Sequence, residues 1–236
     1  MLKQSNLESI KSVAKAFLYI DVEETEISPI VVQHPIFENG IQALEQSDYS
    51  TKLINILEDE KGLETLRLKI LNRIDAAKNV WEVYMIIRKS YRLTFIKYIY
   101  QYLSIEDMSK LLAHAWVTSE NPNNDNNVSI RTLVSWFKKC DKKVLMDEYE
   151  YSIYQSLPDK LKIYRGVAVN RNPKGLSWTN SFVTAEWFAH RFDKDKKEGY
   201  VQSAIIDKKD ILAYFNTELS ESEIVVDSRK LNIERL

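Results

Sequence analysis

ESEIVVD, residues 221–227, sets two glutamates two positions apart at the head of a β-branched run that ends in an aspartate. In an extended chain alternate side chains point the same way, so Glu221 and Glu223 share one side. Like charges held that close repel, and a purely structural strand gains nothing from them. The stretch therefore reads as a strand with chemistry at its mouth, and it sets the character of the region around it.

Working outward from it, the neighbouring segments are also β-prone. LKIYRGVAV (161–169) alternates. GLSWTNS (175–181) is a short strand or turn, and YVQSAIID (200–207) and DILAYF (210–215) are strand candidates. Between them Thr184 caps a helix over TAEWFAHRF.

Further upstream the texture is helical. Residues 41–118 hold one glycine, Gly62, and no proline. Leu53, Ile54, Ile56 and Leu57, then Leu66, Leu68, Ile70, Leu71 and Ile74, recur at helical spacing. The stretch 79–104 interleaves aromatics with Arg88, Lys89, Arg92 and Lys97, which reads as an amphipathic helix or as a stacking surface for single-stranded nucleic acid. Ser104 with Asp107 forms a capping box for a helix from 105. Ser129 caps SIRTLVSWFKKC, and a further helix runs through VLMDEYEYSIYQS until Pro158. The chain is expected to be α+β, with a helical N-terminal domain over 1–103 and a catalytic or binding domain over 104–236.

Composition narrows the function. Of 236 residues 44% are hydrophobic and 28% charged, with a net charge of −1, so no overall basic field argues for nucleic acid. Residues 1–156 carry 19 basic and 22 acidic groups, and residues 157–236 carry 14 and 12. That tilt suits an anionic ligand in the C-terminal part. Cys140 is the single cysteine, which excludes an internal disulfide and a cysteine-ligated zinc site. His34, His114 and His190 lack metal-ligand spacing, so no metal is expected. Neither a signal peptide nor a run of about 18 apolar residues is present, and the expected location is the cytoplasm of a producing cell or of a host, away from membranes.

Three positions do not fit their surroundings. Arg165 shares a strand face with Ile163, Val167 and Val169, where a guanidinium is costly unless something pairs with it. Its fork matches phosphate or carboxylate geometry, from a ligand or from an internal ion pair. Ser177 and Thr179 put two hydroxyls on one face with Trp178 opposite. Glu221 and Glu223 are the third. The Asn-rich loop 119–127, with Glu120 and Asn121, is either a solvated connection or a flank of the same cleft.

In order, an arginine in a strand after an aromatic (YRG), Ser-x-Thr before an aromatic helix (SWTNSFVTAEWFA) and Glu-x-Glu entering an apolar strand (ESEIVV) resemble the arginine–serine–glutamate class of mono-ADP-ribosyltransferases. The transferase-like proteins of phages and bacteria are the most similar in look, over roughly residues 104–236. The family's middle motif is usually Ser-Thr-Ser, and Trp178 takes the central place here.

The resemblance implies a mixed β-sandwich core with flanking helices, NAD+ as substrate and no metal. Glu223 would stabilise the oxocarbenium-like ribose cation and hold the ribose 2′-hydroxyl. Glu221 would orient or deprotonate the acceptor. Arg165 would bind the diphosphate, with Gly166 where the backbone approaches the dinucleotide. Ser177 would fix the Glu223 rotamer, and Thr179 would support the strand. Phe182 and Trp187 are the candidates to stack on nicotinamide, with Trp187 second because its helix is expected to bury it in the core. Glu-x-Glu favours a protein arginine as acceptor, with nucleic acid as the alternative. A phage effector or a bacterial toxin fits such an activity, with an antitoxin or host protein docking on the N-terminal helices. An NAD+ glycohydrolase, and a non-catalytic RNA- or protein-binding module on the same fold, are the other expectations.

Overall fold

The computed structural model describes residues 2–26, 28–45, 50–119, 122, 125–193, 198–216 and 222–236. The chain is α+β and forms two compact units, Met1–Asp107 and Met108–Leu236.

The first unit holds α1 (Leu7–Leu18), β1 (Glu23–Thr25), β2 (Ser28–Gln33), β3 (Ile41–Glu45), β4 (Thr51–Asn55), α2 (Glu60–Ala76), α3 (Val80–Tyr84) and α4 (Arg92–Ile99). It is less helical than its periodicity predicts. β3 and β4 pair antiparallel from Ile41 opposite Asn55 to Glu45 opposite Thr51. Leu53 is exposed while Ile54 is buried, which is the alternation of a strand. The helix begins only after Asp59, whose side chain accepts the Gly62 amide at 2.8 Å. The aromatic stretch from 79 to 104 is likewise broken. Arg88 is extended between α3 and a 3-10 turn at Lys89–Tyr91 that leads into α4.

α5 (Ile105–Thr118) starts where Ser104 predicts, its hydroxyl accepting the Asp107 amide at 3.1 Å. α6 (Ile130–Lys139) is capped by Ser129. The expected helix before Pro158 is two, α7 (Lys142–Leu145) and α8 (Glu148–Ser156), because Asp147 and Glu150 build a capping box between them.

The second unit is organised by one six-stranded antiparallel sheet. Its strands are β5 (Lys160–Val167), β6 (Ser177–Thr179), β7 (Tyr200–Asp207), β8 (Ile211–Phe215), β9 (Glu223–Val226) and β10 (Glu234–Arg235), in the order β10-β7-β5-β6-β9-β8. Among the described residues this unit holds a single sheet, where the resemblance implied a sandwich. α9 (Phe182–His190) enters from Ser181, whose side chain accepts the Thr184 amide; Thr184 itself is not the cap.

Each face of the sheet carries its own cover. Leu161, Ile163, Trp178, Ile224 and Val226 belong to a buried cluster with Met146, Ile211 and Tyr214. The opposite face receives α9 through Ala185 and Ala189, which pack with Val201 and Tyr164. Gly166 makes that packing possible. A Cβ there would lie 2.1 Å from the Ala185 carbonyl oxygen and 2.5 Å from the Ala189 nitrogen.

Candidate active site

The sheet register builds the site. Tyr164 of β5 lies opposite Thr179 of β6, Thr179 lies opposite Glu223 of β9, and Glu223 lies opposite Phe215 of β8. Residues directly opposite in antiparallel strands share a face. Tyr164, Thr179 and Glu223 therefore form one row across three strands, on the side that α9 covers. Ser177 sits two residues along β6, opposite Val225, on the same face.

Glu223 is half-buried at the first position of β9, and the buried Trp116 of α5 donates its indole Nε1–H to Glu223 Oε1 at 3.0 Å. The Trp116 ring meets Phe137 edge-on at 5.1 Å, so its N–H is held in direction by packing. The residue before it, Ser222, has φ of 40°, a left-handed conformation that a non-glycine residue adopts at a cost of about 1–2 kcal/mol. The Tyr214 hydroxyl lies 3.2 Å from Ser222 Oγ. Strain of this kind collects at sites that hold a side chain in a required position. Ser222 is therefore not extended, and β9 begins only at Glu223. Glu221, Glu120 and Asn121 lie outside the described residues.

Thr179 is buried, and its Oγ1 accepts the Ser181 amide at 3.1 Å. Since Ser181 caps α9, this bond ties the helix start to the Glu223 row. Phe182, the first residue of α9, is 42% exposed and meets the Tyr164 ring edge-on at 5.5 Å. Trp187 is 54% exposed and not in the core position expected from its helix. Trp178 is the core residue instead. Its Nε1–H donates to the Gly175 carbonyl at 3.2 Å, so the departure from the middle motif is absorbed on the sheet face away from Glu223.

Arg165 is built into the connection between β5 and β6. It lies opposite Gln202, on the Ile163 face by alternation and not in the Glu223 row. Its Nη1 donates to the Ser177 carbonyl at 2.6 Å and its Nη2 to the Asn172 carbonyl at 3.1 Å. The guanidinium lies against Gly175, where a Cβ would come within 2.2 Å of Nη2. Nε is buried with no hydrogen-bond partner among the described residues. Burial lowers its pKa to about 10, while the Glu223 carboxylate and Tyr200 push it back up. The cation thus feels Glu223 through space and keeps a donor to spare. Gly166, next along, has the space of its missing side chain filled by α9, so the close approach there is made by a helix.

Arg165 and Ser177 are thus joined directly, and Thr179, Glu223 and Phe182 are joined through the Tyr164 row. Trp116 and Tyr164 were not singled out from the sequence. Trp116 lies 107 residues from Glu223 in the chain, and only the fold brings them together. A groove of about 290 Å³ lined by Lys138, Lys160, Asp207, Asp227 and Lys230 includes none of these residues. Among the described residues no three His, Cys, Asp or Glu side chains are grouped to hold a metal ion, and no helix is long and apolar enough to cross a membrane. Comparison of the chain with protein-family models, with curated proteins and with solved structures found no match.

Proposed function

We propose that the chain is a mono-ADP-ribosyltransferase that moves ADP-ribose from NAD+ to a macromolecular acceptor. The observation that carries the reading is a carboxylate, Glu223, fixed at a strand mouth by an indole N–H, beside a left-handed Ser222 and in line with Thr179. The order of Arg165, Ser177, Thr179 and Glu223 along the chain supports it.

In this reaction the C–N bond between ribose and nicotinamide breaks, and nicotinamide leaves with the bonding pair as a neutral base. The ribose carries the resulting positive charge. A carboxylate beneath it interacts more strongly with the cation than with the ground state, which lowers the barrier. Carboxylates in glycosidases act on the same physical basis. Trp116 holds Glu223 from the side without supplying a charge of its own. Arg165, half-buried and held by the Ser177 and Asn172 carbonyls, is not paired with a carboxylate among the described residues, and its assigned part is a positive charge felt through space by the diphosphate. Phe182 supplies an exposed ring for nicotinamide. Glu221 is assigned the acceptor: it takes the proton as the nucleophile bonds to the ribose carbon.

On the same reading the first unit binds the target or a neutralising protein of the producing cell or host. Its exposed Leu53, Leu68, Trp81 and Tyr98 are the surface such a partner would cover. The protein would then act as a phage effector or a bacterial toxin or defence enzyme, in the cytoplasm. NAD+ labelled in its adenylate half, incubated with the protein and a lysate, tests the transfer. Label on a macromolecule that disappears in Glu223→Gln is the expected result. Equal NAD+ cleavage by wild type and Glu221→Gln with no labelled macromolecule would make the protein an NAD+ glycohydrolase instead.

A further inference from the structure

α9 buries only Ala185 and Ala189 fully, and its outer face is apolar and aromatic. Phe182 is 42% exposed, Val183 73% and Trp187 54%, and Phe192 just beyond the helix is 54% exposed. Ordinary surfaces scatter such residues singly, whereas these recur over one helix and the residues just after it.

The rings are interleaved with cations. The Arg191 guanidinium lies 5.7 Å from the centre of the Trp187 ring, 4.8 Å from Phe188 and 4.6 Å from Phe192. Arg171 approaches Phe192 from the neighbouring loop at 5.5 Å. On the strand beside it, Lys162 lies 5.6 Å from the Tyr164 ring. Among the described residues the acids beside these rings include Glu198, which is exposed and whose amide donates to Asp193 at 3.2 Å. Glu186 is exposed on α9, and Asp193 is engaged by His190 at 2.7 Å. The surface is continuous with the candidate site, because Phe182 touches Tyr164 and Tyr164 begins the row that ends at Glu223.

We propose that this face of α9 beyond Phe182, with Lys162 and Arg171, docks a single-stranded nucleic acid and presents it as the acceptor to the ribose held at Glu223. The proposal rests on the transferase reading for the transfer step and on the surface alone for the docking. Exposed rings offer stacking platforms to unpaired bases of any sequence, and arginine and lysine beside them neutralise the phosphates. A duplex keeps its bases stacked on one another and cannot use the rings. Cations set against exposed rings suit a single strand, which brings bases to the rings and phosphates to Arg171 and Arg191, whereas a protein arginine would bring positive charge against both.

Fluorescence anisotropy of labelled 12-nucleotide RNA and DNA single strands, with a 12-base-pair duplex as comparator and no NAD+ present, tests the docking. Single strands are expected to bind more tightly than the duplex, with affinity falling as salt rises. Trp187→Ala is expected to weaken single-strand binding about 5- to 150-fold, the effect of losing one stacked base, and Trp187→Phe to retain most of it. No single-strand binding at low salt, or binding unchanged in Trp187→Ala, overturns the proposal. Transfer of labelled ADP-ribose onto a protein band alone overturns it in favour of a protein acceptor. NAD+ cleavage by the wild type is measured separately. Cleavage without single-strand binding sinks the surface and leaves the site, while Trp187-dependent binding without cleavage sinks the site and leaves the surface.

Discussion

Trp116→Phe probes the site through a residue 107 positions away in the chain. The substitution keeps an aromatic ring beside Phe137 and removes the indole N–H that donates to Glu223 Oε1 at 3.0 Å. A hydrogen bond to a charged acceptor contributes about 1.5–3 kcal/mol. If that bond holds the carboxylate where the ribose cation forms, its loss raises the barrier by the same amount. At about 1.4 kcal/mol per tenfold, nicotinamide release should slow about 10- to 150-fold. The ring change also leaves a space in a fully buried position and should cost about 1–3 kcal/mol of stability, which a thermal melt measures separately. Rates are therefore compared well below the melting point of the variant. The assay is nicotinamide release from NAD+ at saturating substrate. A folded Trp116→Phe protein that releases nicotinamide within twofold of wild type would refute the claim that the indole positions Glu223 for catalysis.

Other outcomes follow from the same physical description. Gly166→Ala should destabilise the second unit by about 1–3 kcal/mol or shift α9, because the new Cβ meets helix backbone at 2.1 Å; an unchanged melting temperature would contradict the packing. Burial lowers the pKa of His34 from 6.5 to about 4, so the folded state excludes a proton that the unfolded chain accepts. Stability from this residue is present above about pH 6.5 and is lost as pH falls towards 4, by up to about 3 kcal/mol. Urea midpoints at pH 7 and pH 4.5 should differ more in wild type than in His34→Gln, and equal pH dependence in both would exclude the histidine as the cause. Burial raises the Cys140 thiol to about 11, so alkylation by iodoacetamide should be slow near neutral pH and climb up to about pH 11; rapid labelling at pH 7.5 would show the thiol exposed.

The strands were legible because their signals are local. LKIYRGVAV, YVQSAIID and EIVV alternate or run apolar, and each forms a strand of the sheet. Helix starts at Ser104 and Ser129 were legible for the same reason, since a cap needs only its own next turn. The hairpin of β3 and β4 was not. Leu53, Ile54, Ile56 and Leu57 fit a helical face as well as a strand, and pairing with residues 41–45 decided between them. The α9 cap went to Ser181 because Thr179 already accepts the Ser181 amide and places it. Trp187 was misjudged because an aromatic at helical spacing reads as core, while here Ala185 and Ala189 fill the face that packs on Gly166. In the site, Arg165, Ser177 and Glu223 stood out by type and order. Trp116 carried no local signal, since an indole inside an apolar helix looks like packing until the fold sets Glu223 beside it.

The most direct measurement is nicotinamide release from NAD+ by the purified full chain, beside Glu223→Gln, which keeps the shape of the side chain and removes its charge. The account predicts release by the wild type and a loss of at least about a hundredfold in the variant, the scale of removing one preorganised electrostatic group. Release that is equal in both proteins, or absent from a folded wild type with and without candidate acceptors, would contradict it.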